Sequence, residues 1–223
     1  MNKLLLSLLV ALVAQVTAFS AFADEIKGDA KQGESKNSMC MGCHGIVGYQ
    51  ASFPEVHKVP KISGQGAQYI ISALTAYRKG DRKHPTMRGI ADPLTDQDIA
   101  DLAAFYSTSG VVPGATLPSK AADGPAKAME LVAKGGCVSC HGDNFSKPLD
   151  PSYPKLAGQH KDYLYVALKS YKTEHNPQVG RSNAIMGGMV KQFSLAELKE
   201  IANYIGSLPG ELKTVPEHEF KFK

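Results

Sequence analysis

Apolar side chains recur every three or four residues in two stretches of the chain, the spacing that places them on one face of a helix. In the first stretch they are Tyr69, Ile70, Ala73, Leu74 and Tyr77. In the second they are Tyr163, Leu164, Ala167, Leu168 and Tyr171. Because no segment alternates convincingly between apolar and polar residues as a half-buried strand would, the pattern predicts an all-α fold.

Helix start signals predict one further helix after each of these stretches. Thr95 and Asp98 have the spacing of a capping box, and Ser194 and Glu197 repeat it. The apolar residues that follow these boxes at helical spacing are Ile99, Leu102 and Phe105, and Leu198, Ile201 and Ile205. Polar, helix-compatible runs at 28–39 and 124–134 predict two more helices, and the Gly and Pro residues of 109–119 predict a linker.

The N-terminus has the layout of a secretory signal peptide. An apolar stretch at 4–13 follows Lys3, and Ala21-Phe22-Ala23 has the form of a cleavage site. We therefore expect residues 1–23 to be removed and the remaining chain to be periplasmic. The alternative is a retained membrane anchor, because twenty uncharged residues could just span a bilayer. The polar Gln15 and Thr17 favour cleavage.

All four cysteines lie in two copies of one motif. Cys40, Cys43 and His44 form a Cys-x-x-Cys-His sequence, and Cys137, Cys140 and His141 form another. This motif is the attachment signal of c-type haem: the two thiols bond to the porphyrin and the histidine binds its iron. The sequence therefore predicts two covalently bound haems and no disulfide. A four-thiolate zinc site or a pair of redox dithiols is the alternative, but neither needs a histidine after each second cysteine.

The chain is an internal repeat. Cys40 and Cys137 are 97 residues apart, and Pro60-Lys61-Ile62-Ser63-Gly64-Gln65 matches Pro154-Lys155-Leu156-Ala157-Gly158-Gln159. The two tyrosine-rich stretches and the two capping boxes repeat at similar offsets. We infer a duplicated haem domain, with residues 24–112 as the N-terminal copy and 113–223 as the C-terminal copy.

The repeat also selects candidates for the second axial ligand of each iron. Met87 lies seven residues before Leu94, and Met186 lies seven residues before Phe193, so the two methionines are in register. Met189, His84 and His175 are the other candidates, but they have no counterpart at the matching position. We therefore predict His44 and Met87 as one axial pair and His141 and Met186 as the other. The alternative is that both methionines only fill gaps in the core.

The residues next to the axial histidines carry a further expectation. A ligating imidazole donates its second N–H to a carbonyl or carboxylate, which fixes the orientation of the ring. Pro60 and Pro154 occupy equivalent places in the repeat, so their carbonyl groups are the candidate acceptors. The alternative is that these prolines only shape a turn.

On these motifs the chain resembles the dihaem cytochromes of the cytochrome c4 family. The resemblance rests on the paired haem motifs, on the Gly-Gln pairs at 64–65 and 158–159, and on the methionines in register. It implies two tandem class I cytochrome c domains related by pseudo-twofold symmetry, in a periplasmic carrier that passes electrons toward a terminal oxidase. One departure is a longer connection at 48–57, and the tail after Pro209 is interpreted as a solvated extension.

Charge and composition narrow the classes of partner. With 43% hydrophobic and 21% charged residues the chain is neither a disordered nor a fibrous protein. The formal net charge of +4 would be offset by haem propionates, so nucleic-acid binding is not expected. A basic cluster near Met87 could dock an acidic redox partner, although such a run is more often only a solvated loop. Its members are Arg78, Lys79, Arg82, Lys83 and Arg88.

Three function classes follow from these observations. The first is a respiratory electron carrier between redox proteins such as a quinol-oxidising cytochrome complex and a haem-copper oxidase. The second is the cytochrome subunit of a periplasmic dehydrogenase such as a flavocytochrome c. The third is a dihaem peroxidase, which needs an iron that can open to substrate, so two methionine-closed irons predict a carrier and not an enzyme. Whether the protein is free or held at the membrane surface stays open.

Overall fold

The computed structural model describes residues 26–216, and the predicted signal peptide at 1–23 lies outside this range. The helices of the first half are α1 (Ala30–Lys36), α2 (Ser38–His44), α3 (Ala67–Lys79), α4 (Pro85–Ala91) and α5 (Asp96–Thr108). Those of the second half are α6 (Ala126–Lys134), α7 (Val138–His141), α8 (Lys161–Ser170), α9 (Ala184–Lys191) and α10 (Leu195–Ser207). The all-α prediction is therefore confirmed, and the two halves have the same order of helices.

Local signals in the sequence explain where the long helices begin. Thr95 and Asp98 exchange side-chain and backbone hydrogen bonds at the start of α5, and Ser194 and Glu197 do the same at the start of α10. Both capping boxes predicted from the sequence are thus confirmed. Each satisfies two backbone N–H groups that the first turn of a helix would otherwise leave without a partner.

The halves bury separate apolar cores. In the first, α3 and α5 pack together and bury Ile70, Leu102, Ala103 and Tyr106. In the second, α10 packs against α6 and α8 around a larger core that includes Leu131, Phe145 and Leu198. Helix α1 crosses α5 so closely that a Cβ at Gly33 would lie 2.1 Å from the carbonyl oxygen of Asp101. Glycine is therefore required at this crossing.

Four two-residue strands, which the sequence did not predict, form two antiparallel ladders. Strand β1 (Gln50–Ala51) pairs with β2 (His57–Lys58) as a hairpin within the first half. Strand β3 (Arg82–Lys83) pairs with β4 (Gly180–Arg181) and joins the two halves, with Arg82 opposite Arg181. These arginines are as far apart in the sequence as Met87 and Met186, so equivalent residues of the repeat face each other, as twofold symmetry requires.

The segment after Pro209 is packed onto the protein, which corrects the expectation that it is solvated. Leu212 is only 2% exposed, and the N–H of Lys213 donates to the carbonyl of Ser63 at 2.9 Å. The Lys155 ammonium pairs with Glu211 at 2.5 Å. The segment thus ties the end of the second half to the first half, and the last residues, 217–223, lie outside the described range.

Between α5 and α6 the chain runs without helix or strand, as the linker prediction requires, and the predicted domain boundary at 112 falls in this stretch. Within residues 26–216, no helix is both long and apolar enough to cross a membrane.

Candidate functional site

Each haem motif ends a short helix. Cys40 and Cys43 lie on α2, which ends at His44, while Cys137 caps α7, which contains Cys140. All four cysteines have free thiols in the structure. Burial raises the pKa of the Cys40 and Cys137 thiols, which favours the protonated form. Both motifs thus present a pair of uncommitted thiols and an imidazole on adjacent turns.

The two motif histidines are held in the same way. The Nδ1 of His44 lies 2.8 Å from the carbonyl oxygen of Pro60, and the Nδ1 of His141 lies 3.2 Å from that of Pro154. Because a carbonyl can only accept, Nδ1 carries the proton and Nε2 is left with its lone pair. Burial lowers the pKa of both imidazoles, which keeps them neutral, as an iron ligand must be. The predicted proline acceptors are confirmed.

A glutamine from the opposite half lies behind each of these carbonyls. Gln159 accepts from the backbone N–H of Lys61 at 2.9 Å and donates to the carbonyl of Lys61 at 2.9 Å. Gln65 makes the same pair of bonds to Lys155, at 2.9 and 3.0 Å. Both glutamines are 4% exposed. The sequence contained a signal for this arrangement, the repeated Gly-Gln pair, but the repeat alone does not show that the contacts cross between the halves.

The two methionines occupy matching positions. Met87 is the third residue of α4 and Met186 the third residue of α9, so each lies on a short helix. His84 caps α4 by accepting from the Met87 N–H at 3.4 Å, and Asn183 caps α9 by accepting from the Met186 N–H at 2.9 Å. His84 therefore has a capping role, and the register of the methionines is kept in the structure. That they bind iron remains a prediction.

The other candidates for the second axial ligand of the haem in the second half are exposed to solvent. Met189 is 44% exposed. His175 is exposed in the connection between α8 and α9, where its φ is 55°. Met186, by contrast, packs against the same core as Cys137. The structure thus brings the second attachment motif and Met186 together around one core.

Two arginines and a group of tyrosines lie where the halves meet. Arg82 donates to the Tyr163 hydroxyl at 2.7 Å and to that of Tyr69 at 3.3 Å, and its guanidinium lies 4.5 Å from the centre of the Tyr77 ring. Arg181 donates to the same Tyr163 hydroxyl at 3.2 Å. Burial raises the pKa of Tyr163, but the two guanidiniums lower it by a larger amount, to about 8. Arg82 is therefore part of the contact between the halves, which corrects its assignment to a solvated basic cluster.

Two other members of the cluster, Arg78 and Lys83, also make contacts. Arg78 donates to the carbonyl of Leu94 at 2.7 Å and pairs with Asp96, and Lys83 donates to the carbonyl of Asn176 at 2.8 Å. Lys83 thus also bridges the halves. A docking surface made of all five residues is therefore not available as the sequence suggested.

The longer connection at 48–57 is the β1–β2 hairpin and its turn. Glu55 in the turn pairs with Lys169 of α8 at 2.6 Å, and the His57 ring stacks on Tyr163 with centroids 6.2 Å apart. The carbonyl of Phe53 accepts from Nε2 of His84 at 3.2 Å. The hairpin therefore contacts both the second half and the cap of the helix that carries Met87.

These residues fit a c-type haem in each half. The thiols would bond to the porphyrin, the free Nε2 of each histidine would be available to an iron, and a thioether lies on α4 and on α9. Arg82 supplies a further observation: among the described residues its buried Nε has no hydrogen-bond partner, and a haem propionate is the kind of anion that would suit it. When bound, a haem supplies one-electron redox chemistry.

The comparisons with known proteins agree with this arrangement. The cytochrome c family matches residues 33–109 and 125–209. A cytochrome c4 from Stutzerimonas stutzeri is 31% identical, with 93% of this chain and 100% of that protein covered. The crystal structure of reduced recombinant cytochrome c4 from Pseudomonas stutzeri superimposes with a TM-score of 0.61 at 29% identity, covering 82% of this chain and all of that one. A thiosulfate dehydrogenase electron acceptor from Stutzerimonas stutzeri is 29% identical over 76% of this chain and 78% of its own.

The fold and the paired motifs define a dihaem electron-transfer cytochrome built from two tandem class I domains. The chain belongs to the cytochrome c family, and within that family to the cytochromes c4. It carries two c-type haems, one in each half.

Proposed function

We propose that this chain is a periplasmic carrier, not an enzyme, that passes single electrons between respiratory redox proteins toward a terminal oxidase. In this proposal Cys40, Cys43, Cys137 and Cys140 attach the two haems. His44 with Met87, and His141 with Met186, are the axial ligands of the two irons. A quinol-oxidising cytochrome complex is the proposed donor and a haem-copper oxidase the proposed acceptor. Peripheral association with the membrane would suit both partners.

One observation carries the ligand assignment. Both motif histidines direct Nδ1–H to a proline carbonyl, and both methionines are the third residue of a short capped helix. Two sites built alike are expected to do the same chemistry. A thioether opposite an imidazole favours ferrous iron and raises the reduction potential. An iron with both axial positions filled exchanges electrons without binding substrate, which supports a carrier.

The ligand assignment is tested by absorbance of the ferric protein. We expect the ferric wild type to show the weak red charge-transfer band of methionine ligation. Met87→Ala alone and Met186→Ala alone should each lower the intensity of this band by about half, since each variant removes one of two similar ligands. Met189→Ala is the matched control, because this residue lies on the same helix but is largely exposed. If the band is unchanged in both ligand variants, or is lost in Met189→Ala, the assignment is wrong.

Electron transfer itself is tested with purified partners. We expect the reduced protein to be oxidised by a haem-copper oxidase, and the oxidised protein to be reduced by a quinol-oxidising complex. The likeness to a thiosulfate dehydrogenase electron acceptor favours a second donor, a periplasmic dehydrogenase. Faster reduction by thiosulfate dehydrogenase than by the quinol-oxidising complex would favour that second function.

Export is tested separately. If residues 1–23 are a cleaved signal, the mature protein starts at Asp24 and is recovered from the periplasm. Mass spectrometry of the purified holoprotein measures this directly. A protein that retains Met1 and sediments with membranes would instead support an anchor.

A further inference from the structure

The peptide group between Pro60 and Lys61 is bonded on both sides. Its oxygen accepts from Nδ1–H of His44 at 2.8 Å, and its N–H donates to Oε1 of Gln159 at 2.9 Å. Gln159 belongs to the second half of the chain, whereas His44 and the peptide belong to the first. One peptide unit therefore links the imidazole of one half to a side chain of the other.

The equivalent contact in the other half of the repeat is present as well. The peptide between Pro154 and Lys155 accepts from Nδ1–H of His141 at 3.2 Å through its oxygen and donates to Oε1 of Gln65 at 2.9 Å through its N–H. The two links are thus crossed: each glutamine acts on the histidine of the opposite half.

Hydrogen bonds in such a chain polarise one another. When a peptide N–H donates, electron density shifts toward the carbonyl oxygen, which becomes a better acceptor. A stronger acceptor at Nδ1–H makes the imidazole a more basic iron ligand and favours ferric iron. Because both glutamines are almost fully buried, water cannot easily replace them as acceptors.

We propose that Gln159 tunes the reduction potential of the haem held by His44, and that Gln65 tunes that of the haem held by His141. Each glutamine is a positioning residue, since it acts through a peptide group of the other half and touches no ligand itself. The proposal rests on the axial histidines of the proposed function. It predicts that packing of the two halves against each other adjusts both reduction potentials, because each half adjusts the potential of the haem in the other half.

The test is Gln159→Met, which keeps the size of the side chain and removes both bonds to Lys61. We expect reduction of the His44 haem to become about threefold more favourable, which is about 28 mV at 59 mV per tenfold for a one-electron couple. The Nδ1–H resonance of His44 in the reduced protein should move upfield as its hydrogen bond weakens. The His141 haem and resonance should change little.

Two further variants separate tuning from a loosened interface. Gln65→Met should give the equivalent result in the other half, a shift in the reduction potential of the His141 haem. Glu55→Gln breaks another contact between the halves, the ion pair with Lys169, without touching either glutamine, and should leave both resonances in place. The potentials are assigned by following the His44 and His141 ring resonances during stepwise reduction.

Specific results would overturn the proposal. They are a shift confined to the haem in the glutamine's own half, equal shifts of both haems, or an Nδ1–H resonance that does not move. If Gln159→Met fails to fold, Gln159→Glu decides, because its carboxylate still accepts from Lys61 and should move the His44 resonance downfield. An error in the proposed ligands would be visible earlier, as a wild-type spectrum without His/Met ligation.

Discussion

Asn183 caps the helix that carries Met186, and removing this cap gives the most direct test of how Met186, the proposed iron ligand, is held. Its Oδ1 accepts from the Met186 N–H at 2.9 Å, and helix α9 is only eight residues long. Replacing a capping asparagine by alanine costs about 1 kcal/mol. We therefore expect Asn183→Ala to raise the population in which α9 is locally open by about fivefold at 25 °C.

The assay is the rate at which added imidazole replaces methionine at the ferric haem, followed by loss of the red absorbance band. If α9 must open before imidazole can bind, the rate at the second haem rises about fivefold in Asn183→Ala. The first haem is an internal reference, because His84 caps its methionine helix. Asn183→Asp retains an oxygen at the cap and should behave like the wild type. An unchanged rate, or equal acceleration at both haems, would refute the reasoning.

Two further predictions concern stability. Burial alone would raise the pKa of Asp101. Hydrogen bonds from Lys36, the Asp29 N–H and Gln97 nevertheless hold this pKa below its ordinary value. The ionised carboxylate therefore makes its whole contribution to the free energy of unfolding above about pH 4. This contribution is lost as the pH falls through the lower pKa of the folded state. Asp101→Asn should be less stable at pH 7 and lose less stability on acidification; equal acid sensitivity in urea titrations would contradict this. Leu212→Ala should cost about 2–3 kcal/mol in thermal unfolding, because this side chain is buried, and a wild-type melting temperature would show that the segment after Pro209 is not packed.

Much of the fold was predictable because its signals are local. The capping boxes at Thr95 and Ser194 bond residues three apart, so their chemistry is complete within one turn of helix. The helical spacing around Tyr69 and Tyr163 likewise depends only on neighbouring residues. The proline acceptors were predictable for a different reason: the repeat showed equivalent positions, and a ligating imidazole needs a partner for Nδ1–H.

The errors concern contacts between distant parts of the chain. The basic run near Met87 reads as a solvated loop, yet Arg82 is in the contact between the halves. The segment after Pro209 has little local pattern, but Leu212 is buried and Lys213 bonds to Ser63. Neither placement leaves a signal in nearby residues, because each depends on a surface that only folding brings close.

The sequence by itself determined the chemistry and its duplication: two attachment motifs, two methionines in register, and the helices that begin at the two capping boxes. Only the tertiary structure decided how the copies are coupled. The repeat shows Gln65 and Gln159 as equivalent residues, but equivalence does not tell whether each bonds within its own half or across the symmetry axis. That choice depends on which faces of the two halves pack together, and here each glutamine is buried against the peptide that bonds to the other half's motif histidine.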